Sequence, residues 1–436
     1  MKKLGIIGLW HQGIVGAACM AKVGYEVIAY DRNEERIAVL NQGKSTIFEP
    51  GLDELLSCGV NEKRLSFTTD VSKVVCECQD IMVMFDTPVD EDDNLDLSEI
   101  FDTMKKIAPD LKDDCLLYFT AQMPVGTCDI IREIIEKENP KASYNIAYSP
   151  ENLRLGQAVD RFLHPALPVI GADNDATYNR VVDLLSPLNT EWKQVNVRTG
   201  EMVKHALNAY IGLTICFGNE IGSICDEVGA DGHKIAQVLK LEERVGKKAM
   251  LAPGLGFSGG TIARDIQTLR KLGDAHNLDT ILFDGVWDAN RSQNSIVIRT
   301  LKKLFGNLEG TPITVLGLTY KADTSTLRRS LSLEIVQALL KENADIKTND
   351  PKADRNELSQ YNGINFCEDP YEAIKGSKAL LLITAWKDYK NLDFNKVKDS
   401  MGENPVIFDV SKFWNGDELE KLGFNYITIG SGKMGR

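Results

Sequence analysis

KLGIIGLWHQGIVGAACMAKVGYEVIAYD, residues 3–31, reads as a strand, a glycine turn, a helix and a second strand that ends on an acid. Asp31 falls about twenty positions beyond the turn, as a βαβ nucleotide-binding unit requires. The turn GLWHQG, residues 8–13, stands where a dinucleotide fingerprint reads G-x-G-x-x-G. Gly8 can make the tight turn and Gly13 lets the helix pack on the strand, but Trp10 puts an indole where the second glycine clears a pyrophosphate. Binding survives if the ring turns out of the loop or stacks over the cofactor, because amides at the start of the helix still face the phosphates. The alternative is that the indole fills the space and the loop holds no dinucleotide. Asp31 can accept from both hydroxyls of an adenosine ribose and would repel a 2′-phosphate, which favours NAD over NADP; the bland alternative is a solvated strand-end acid.

Outward from this unit, short apolar runs at 80–85, 115–119 and 167–171 alternate with helical stretches, which predicts a parallel sheet. From Gly200 to about Ala230 there is no proline and apolar residues recur at steps of three and four. A helix that long bridges two domains or lies against a second subunit. LAPGLGFSGGT, residues 251–261, is a loop, and PITVLGL, residues 312–318, opens a second alternating section that continues in DIKTND and ALLLITAW. The expected fold is α/β: two doubly wound, Rossmann-like domains, residues 1–195 and 306–436, joined by a long central helix and a helical middle domain, residues 196–305.

Composition narrows the partners. A chain of 436 residues with 43% hydrophobic and 26% charged residues is globular, and its formal charge of −13 argues against nucleic acid, which needs clustered cations. Nine cysteines, an odd number without metal-ligand spacing, read as reduced thiols. The N-terminus has no cleavage-site pattern, and no apolar stretch is long enough to span a bilayer. A cytoplasmic protein without membrane, metal or nucleic-acid partners is expected.

Several stretches together resemble the UDP-glucose/GDP-mannose dehydrogenase family: NQGKSTIFEPGLDELL (41–56), SPENLRLG (149–156), EMVKHALNAYIGLTICFGNE (201–220), ERVG (243–246), PGLGFSGGTIARD (253–265), LGLTYKADTSTLRRS (316–330) and TAW (384–386). They occur in that family's order and spacing across nearly the whole chain. The resemblance implies a nucleotide-sugar enzyme that takes a primary alcohol to a carboxylate with two NAD, capturing the aldehyde on a cysteine thiolate as a thiohemiacetal. It also implies roles for individual residues. Lys204 and Asn208, four apart and so on one helix face, match the pair that stabilises oxyanion character at the reacting carbon. Asp265 and Glu151 match the carboxylates of proton transfer and water orientation. Gly8, Trp10, Gly13, Asp31, Arg36, Thr87, Gln122, Arg264 and Arg328 fall at cofactor positions. Leu153, Leu251, Phe257, Ser258 and Lys321 fall at substrate positions, as does Arg244, which in the family reaches the substrate across a dimer interface. A homodimer is implied.

The same resemblance exposes departures. Where the family loop reads like GFGGSCFPKD this chain has GFSGGTIARD, so Thr261 stands at the cysteine and Arg264 at the lysine. A threonine hydroxyl is hardly ionised at neutral pH without a strong neighbouring base, which closes the thioester route. Gln122 replaces a threonine that places hydrolytic water, Leu155 replaces a glutamate near cofactor and sugar, and Ser411 replaces an arginine that often meets the substrate. The expected activity is NAD-dependent oxidation of a UDP-sugar or related NDP-sugar without a covalent adduct, a single oxidation being favoured. The product would be an aldehyde or a ketone, or an acid formed from a hydrated aldehyde. The alternatives are full four-electron oxidation to a uronic acid with Thr261 made reactive, and a catalytically silent nucleotide-sugar-binding protein.

Overall fold

A computed structural model describes residues 2–88, 95–150, 152–258 and 260–433. It divides into two compact units, Met1–Leu207 and Asn208–Arg436. The first is built on eight strands: β1 (Lys3–Ile7), β2 (Glu26–Tyr30), β3 (Leu65–Thr68), β4 (Asp80–Val83), β5 (Cys115–Phe119), β6 (Tyr144–Tyr148), β7 (Val169–Ala172) and β8 (Lys193–Val195). Their order in the sheet is β3-β2-β1-β4-β5-β6-β7-β8. Alternate residues of β1 feed opposite faces: Leu4 and Ile6 join one apolar cluster and Ile7 the other, as a sheet covered on both sides demands. The sheet is not wholly parallel, since β7 runs antiparallel to β6. The connection holds the helix Ala158–Leu163, whose six residues span roughly 9 Å at 1.5 Å per residue. A strand of five residues is roughly 16 Å long, so this helix is too short to carry the chain back for a parallel crossover.

Strand order reverses on either side of β1, and in a doubly wound sheet ligands bind outside the carboxyl ends of the strands at such a point. The turn after β1 and the segment after β4 are therefore the elements that the fold offers to a cofactor.

The second unit begins inside the long helix Val197–Val228 and continues through the helices Gly232–Leu239, Thr261–Ala275, Ile281–Asn294 and Ile296–Phe305. It ends in six strands: β9 (Pro312–Leu316), β10 (Asp345–Asn349), β11 (Asn365–Phe366), β12 (Ala379–Leu382), β13 (Val406–Asp409) and β14 (Asn425–Ile427). Their order, β11-β10-β9-β12-β13-β14, repeats that of β3-β2-β1-β4-β5-β6. The repeat extends to single bonds. Gly8 donates its N–H to Tyr30 O at 2.9 Å and Leu9 to Asp31 Oδ2 at 3.0 Å; Gly317 donates to Asn349 O at 2.9 Å and Leu318 to Asp350 Oδ2 at 2.7 Å. Both glycines hold positive φ, 93° and 83°, where a side chain would be strained. Asp350 is otherwise consumed by its surroundings, accepting also from Thr319, Lys352, Ala353 and the Trp386 indole.

Candidate functional site

The turn after β1 forms a cradle open at the start of the helix His11–Lys22. A Cβ at Gly13 would lie 1.8 Å from Gly8 O, so strand end and helix touch there and only glycine fits. Trp10 precedes the helix and gives it no side-chain cap, which leaves the helix start to an anion. Its indole is 47% exposed and turned outward, with the Arg36 guanidinium 5.1 Å from the ring centroid. Arg36 also donates to Asp31 Oδ2 at 2.6 Å, and Asp31 Oδ1 accepts from Asn33 N at 2.8 Å. Thus Asp31, buried at the end of β2, is held by two backbone N–H groups and one guanidinium. Beneath the turn, Gln12 donates to Phe85 O at 2.7 Å and accepts from Thr120 at 3.1 Å. The cradle is thereby tied to β4 and β5. Thr87 donates to Gln122 O at 2.9 Å, which joins the segments after those two strands.

The remaining groups of the first unit converge on the segment after β6. Glu151 lies outside the described residues. Its neighbour Asn152 accepts from Lys204 Nζ at 3.1 Å, and Lys204 is buried. Leu153 lines a cavity of about 80 Å³ with Met82, Met84, Phe162 and Trp192, whose indole nitrogen has no hydrogen-bond partner among the described residues. One turn before Lys204, Glu201 accepts from Gly126 N at 2.6 Å and Cys128 N at 2.9 Å, capping the helix Thr127–Glu138. Burial lifts its carboxyl above the ordinary range, and those two N–H bonds oppose the lift.

In the second unit Asn208 donates its amide N–H to Asp265, and both are buried. Arg264 lies 3.4 Å from Asp265, and Thr261 is exposed as the first residue of the helix Thr261–Ala275. Leu251 and Phe257 are buried, with Ser258 half-buried, in a loop clamped by side-chain amides. Asn219 bonds Gly254 N at 2.9 Å and Leu255 O at 3.3 Å, and Asn290 bonds Phe257 N at 2.7 Å and Phe257 O at 2.9 Å. Part of the loop backbone between Gly254 and Phe257 is thereby committed to side-chain amides. Arg244 is exposed, bonded to Glu242 at 2.9 Å; Lys321 and Arg328 are exposed on the segment between β9 and the helix Leu331–Lys341.

Three family descriptions match this chain: the NAD binding domain of the UDP-glucose/GDP-mannose dehydrogenase family over residues 2–189, its central domain over 198–292 and its UDP binding domain over 314–416. The chain belongs to the UDP-glucose/GDP-mannose dehydrogenase family. It is 33% identical over 435 residues to a UDP-glucose 6-dehydrogenase of Rhizobium meliloti (strain 1021), covering 98% of this chain and 99% of the relative. It is 30% identical to the UDP-glucose 6-dehydrogenase TuaD of Bacillus subtilis (strain 168), covering 99% and 93%. Its fold is similar to that of a UDP-glucose dehydrogenase from Pyrobaculum islandicum, with a TM-score of 0.87 and 25% identity over 99% of this chain and 98% of the other. As a family member it is an NAD-dependent oxidoreductase, with NAD as its cofactor and a UDP binding domain in its second half. The cradle fits that cofactor: its strand and helix meet at a glycine, its helix start is uncapped and its β2 ends on a fixed carboxylate.

Groups that the sequence did not single out hold the site together: His11, Glu49, Asn152, Glu201, Asn219 and Asn290. Glu49, Asn152, Glu201 and Asn219 lie in stretches that carry the family resemblance, which is the signal that could have pointed to them. Among the described residues no helix is long and apolar enough to cross a membrane.

Proposed function

We propose that this protein oxidises one carbinol of a UDP-sugar, or of a related NDP-sugar, by a single two-electron step that forms no thioester. NAD, when bound, accepts the hydride from the carbinol carbon. Lys204 and Asn208, one turn apart on a continuous helix, hold charge on the carbinol oxygen as its proton leaves. Asp265 orients the Asn208 amide and, with Glu151, handles the proton. Thr261 stands where the family resemblance expects the cysteine and brings a hydroxyl in place of a thiol, and Arg264 stands where it expects a lysine. UDP-glucose is the first sugar to test, because the two relatives above are named for it.

The observation that carries the single step is the chemistry of the thiols. All nine cysteines are free, and burial pushes the Cys216 thiol up to about 11 and raises that of Cys225, which disfavours the thiolate form on the long helix. Free thiols throughout also suit a cytoplasmic protein. A second reading, full oxidation to a uronic acid, is favoured by the name that the relatives share.

Counting NADH against sugar consumed separates the readings. One NADH per UDP-glucose, with a carbonyl product captured by a hydrazine, is expected; two with a carboxylate would establish the uronic acid reading instead. No NADH from any member of a UDP- and GDP-sugar panel would leave a nucleotide-sugar-binding protein. We also propose a homodimer. Tyr210, Phe217 and Ile224 recur every seven residues on the second part of the long helix and are 57%, 47% and 58% exposed, followed by Val228 at 70%. A stripe of that spacing is self-complementary between two copies.

A further inference from the structure

A fully buried carboxylate that the reaction does not use joins three loops of the first unit. Glu49 Oε1 accepts from His11 Nε2–H at 2.8 Å and from Gly156 N–H at 2.8 Å, while Oε2 accepts from Ala158 N–H at 3.2 Å. The Glu49 side chain has no exposed surface and that of His11 is 16% exposed. His11 is the first residue of the helix that opens the dinucleotide cradle. Gly156 and Ala158 belong to the segment after β6, whose residues 154–157 are exposed and outside the sheet ladder. That segment is therefore placed by side chains: Glu49 at one end and, at the other, Asn152, which accepts from Lys204 Nζ at 3.1 Å. A continuous chain of bonds runs from the cradle through Glu49 and residues 152–158 to the lysine assigned above to the carbinol oxygen.

The chemistry requires a carboxylate at this position. Three N–H donors converge on one side chain, and an ionised carboxylate has only acceptors, on two oxygens. A glutamine of equal size would turn its NH₂ toward one donor and leave that buried N–H unpaired.

We propose that Glu49, with His11, is a positioning residue that couples occupation of the dinucleotide cradle to the setting of Lys204 and residues 152–158, so that dinucleotide and nucleotide sugar each tighten binding of the other. The proposal rests on the assignment of Lys204 and of that segment to the sugar side. A coupling free energy between two ligands is reciprocal and independent of turnover, which makes it measurable without catalysis.

The test uses NADH, which cannot take a hydride, and UDP-glucose as probes, with NADH binding followed by fluorescence with and without saturating sugar. In the wild type UDP-glucose is expected to tighten NADH by about fivefold or more. In E49Q, judged folded by an unchanged circular dichroism spectrum, the tightening falls below about twofold, while kcat/KM for UDP-glucose drops by ~10-fold or more as the lysine loses its setting. H11L behaves as E49Q, and H11Q, which keeps an N–H donor for Glu49, retains the coupling. Equal tightening in wild type and E49Q, or no tightening in the wild type, overturns the proposal. A wild type whose coupling is lost in E49Q but that forms no NADH from NAD supports the proposal and sinks the oxidation reading alone.

Discussion

Trp10 shows how a broken fingerprint can leave its cradle whole. The indole stands beside Arg36 at the surface, whereas Gly13 occupies the point of contact between helix and strand. The two positions should therefore answer oppositely to substitution. Trp10→Gly removes one exposed cation–π contact, worth about 0.5–1 kcal/mol, so NAD affinity measured by calorimetry should change by less than about fivefold. Gly13→Ala forces a methyl into Gly8 O and should abolish NAD binding and lower the melting temperature. The turn and packing of the two glycines and the place of Asp31 at the end of β2 were legible because they follow from backbone geometry and chain spacing. The outward turn of the indole was not, since it depends on a guanidinium from the next helix that also pairs with Asp31.

Elements hold the site by capping one another across the chain. Glu201, from the long helix, takes the two N–H groups at the start of the helix Thr127–Glu138, next to the segment that carries Gln122. Glu201→Ala should cost about 1–3 kcal/mol for each N–H left unpaired, read as a lower urea midpoint with little change in slope. The long helix was visible in its proline-free apolar period, and its bounds, Val197–Val228, lie close to those expected. The reversal of β7 was not visible. Its run of apolar residues looks the same in either direction, and direction was decided by how little helix lies in the preceding connection. The amide clamps of Asn219 and Asn290 were equally silent, because an asparagine on a helix gives no local sign of the loop it will meet.

For the molecule as a whole, two expectations concern assembly and acid stability. Replacing Phe217 and Ile224 by glutamate should turn a dimer into monomers in sedimentation velocity, with each subunit's circular dichroism retained, because like charges would then face one another along the stripe. In the second unit His233 donates to Ile429 O at 2.9 Å beside Gly430 and Gly432, whose N–H groups go to Asp226. Burial holds the imidazole below its ordinary 6.5, and Asp226 and Asp231 resist this while Lys412 adds to it. A base whose folded value is depressed stabilises fully above 6.5 and loses that contribution as pH falls through the folded value. The melting temperature should accordingly drop between pH 7.5 and pH 5, and His233→Gln, which keeps a donor for Ile429, should flatten that dependence. Family, cofactor and the two nucleotide-binding sheets could be read in the linear chain, because each rests on short-range periodicity and on glycines and acids at set distances. Where the loops end up, which carboxylate ties them and which donors each acid receives were decided only by folding. Glu49 meets Gly156 across more than a hundred residues, and no local pattern records a partner that distant.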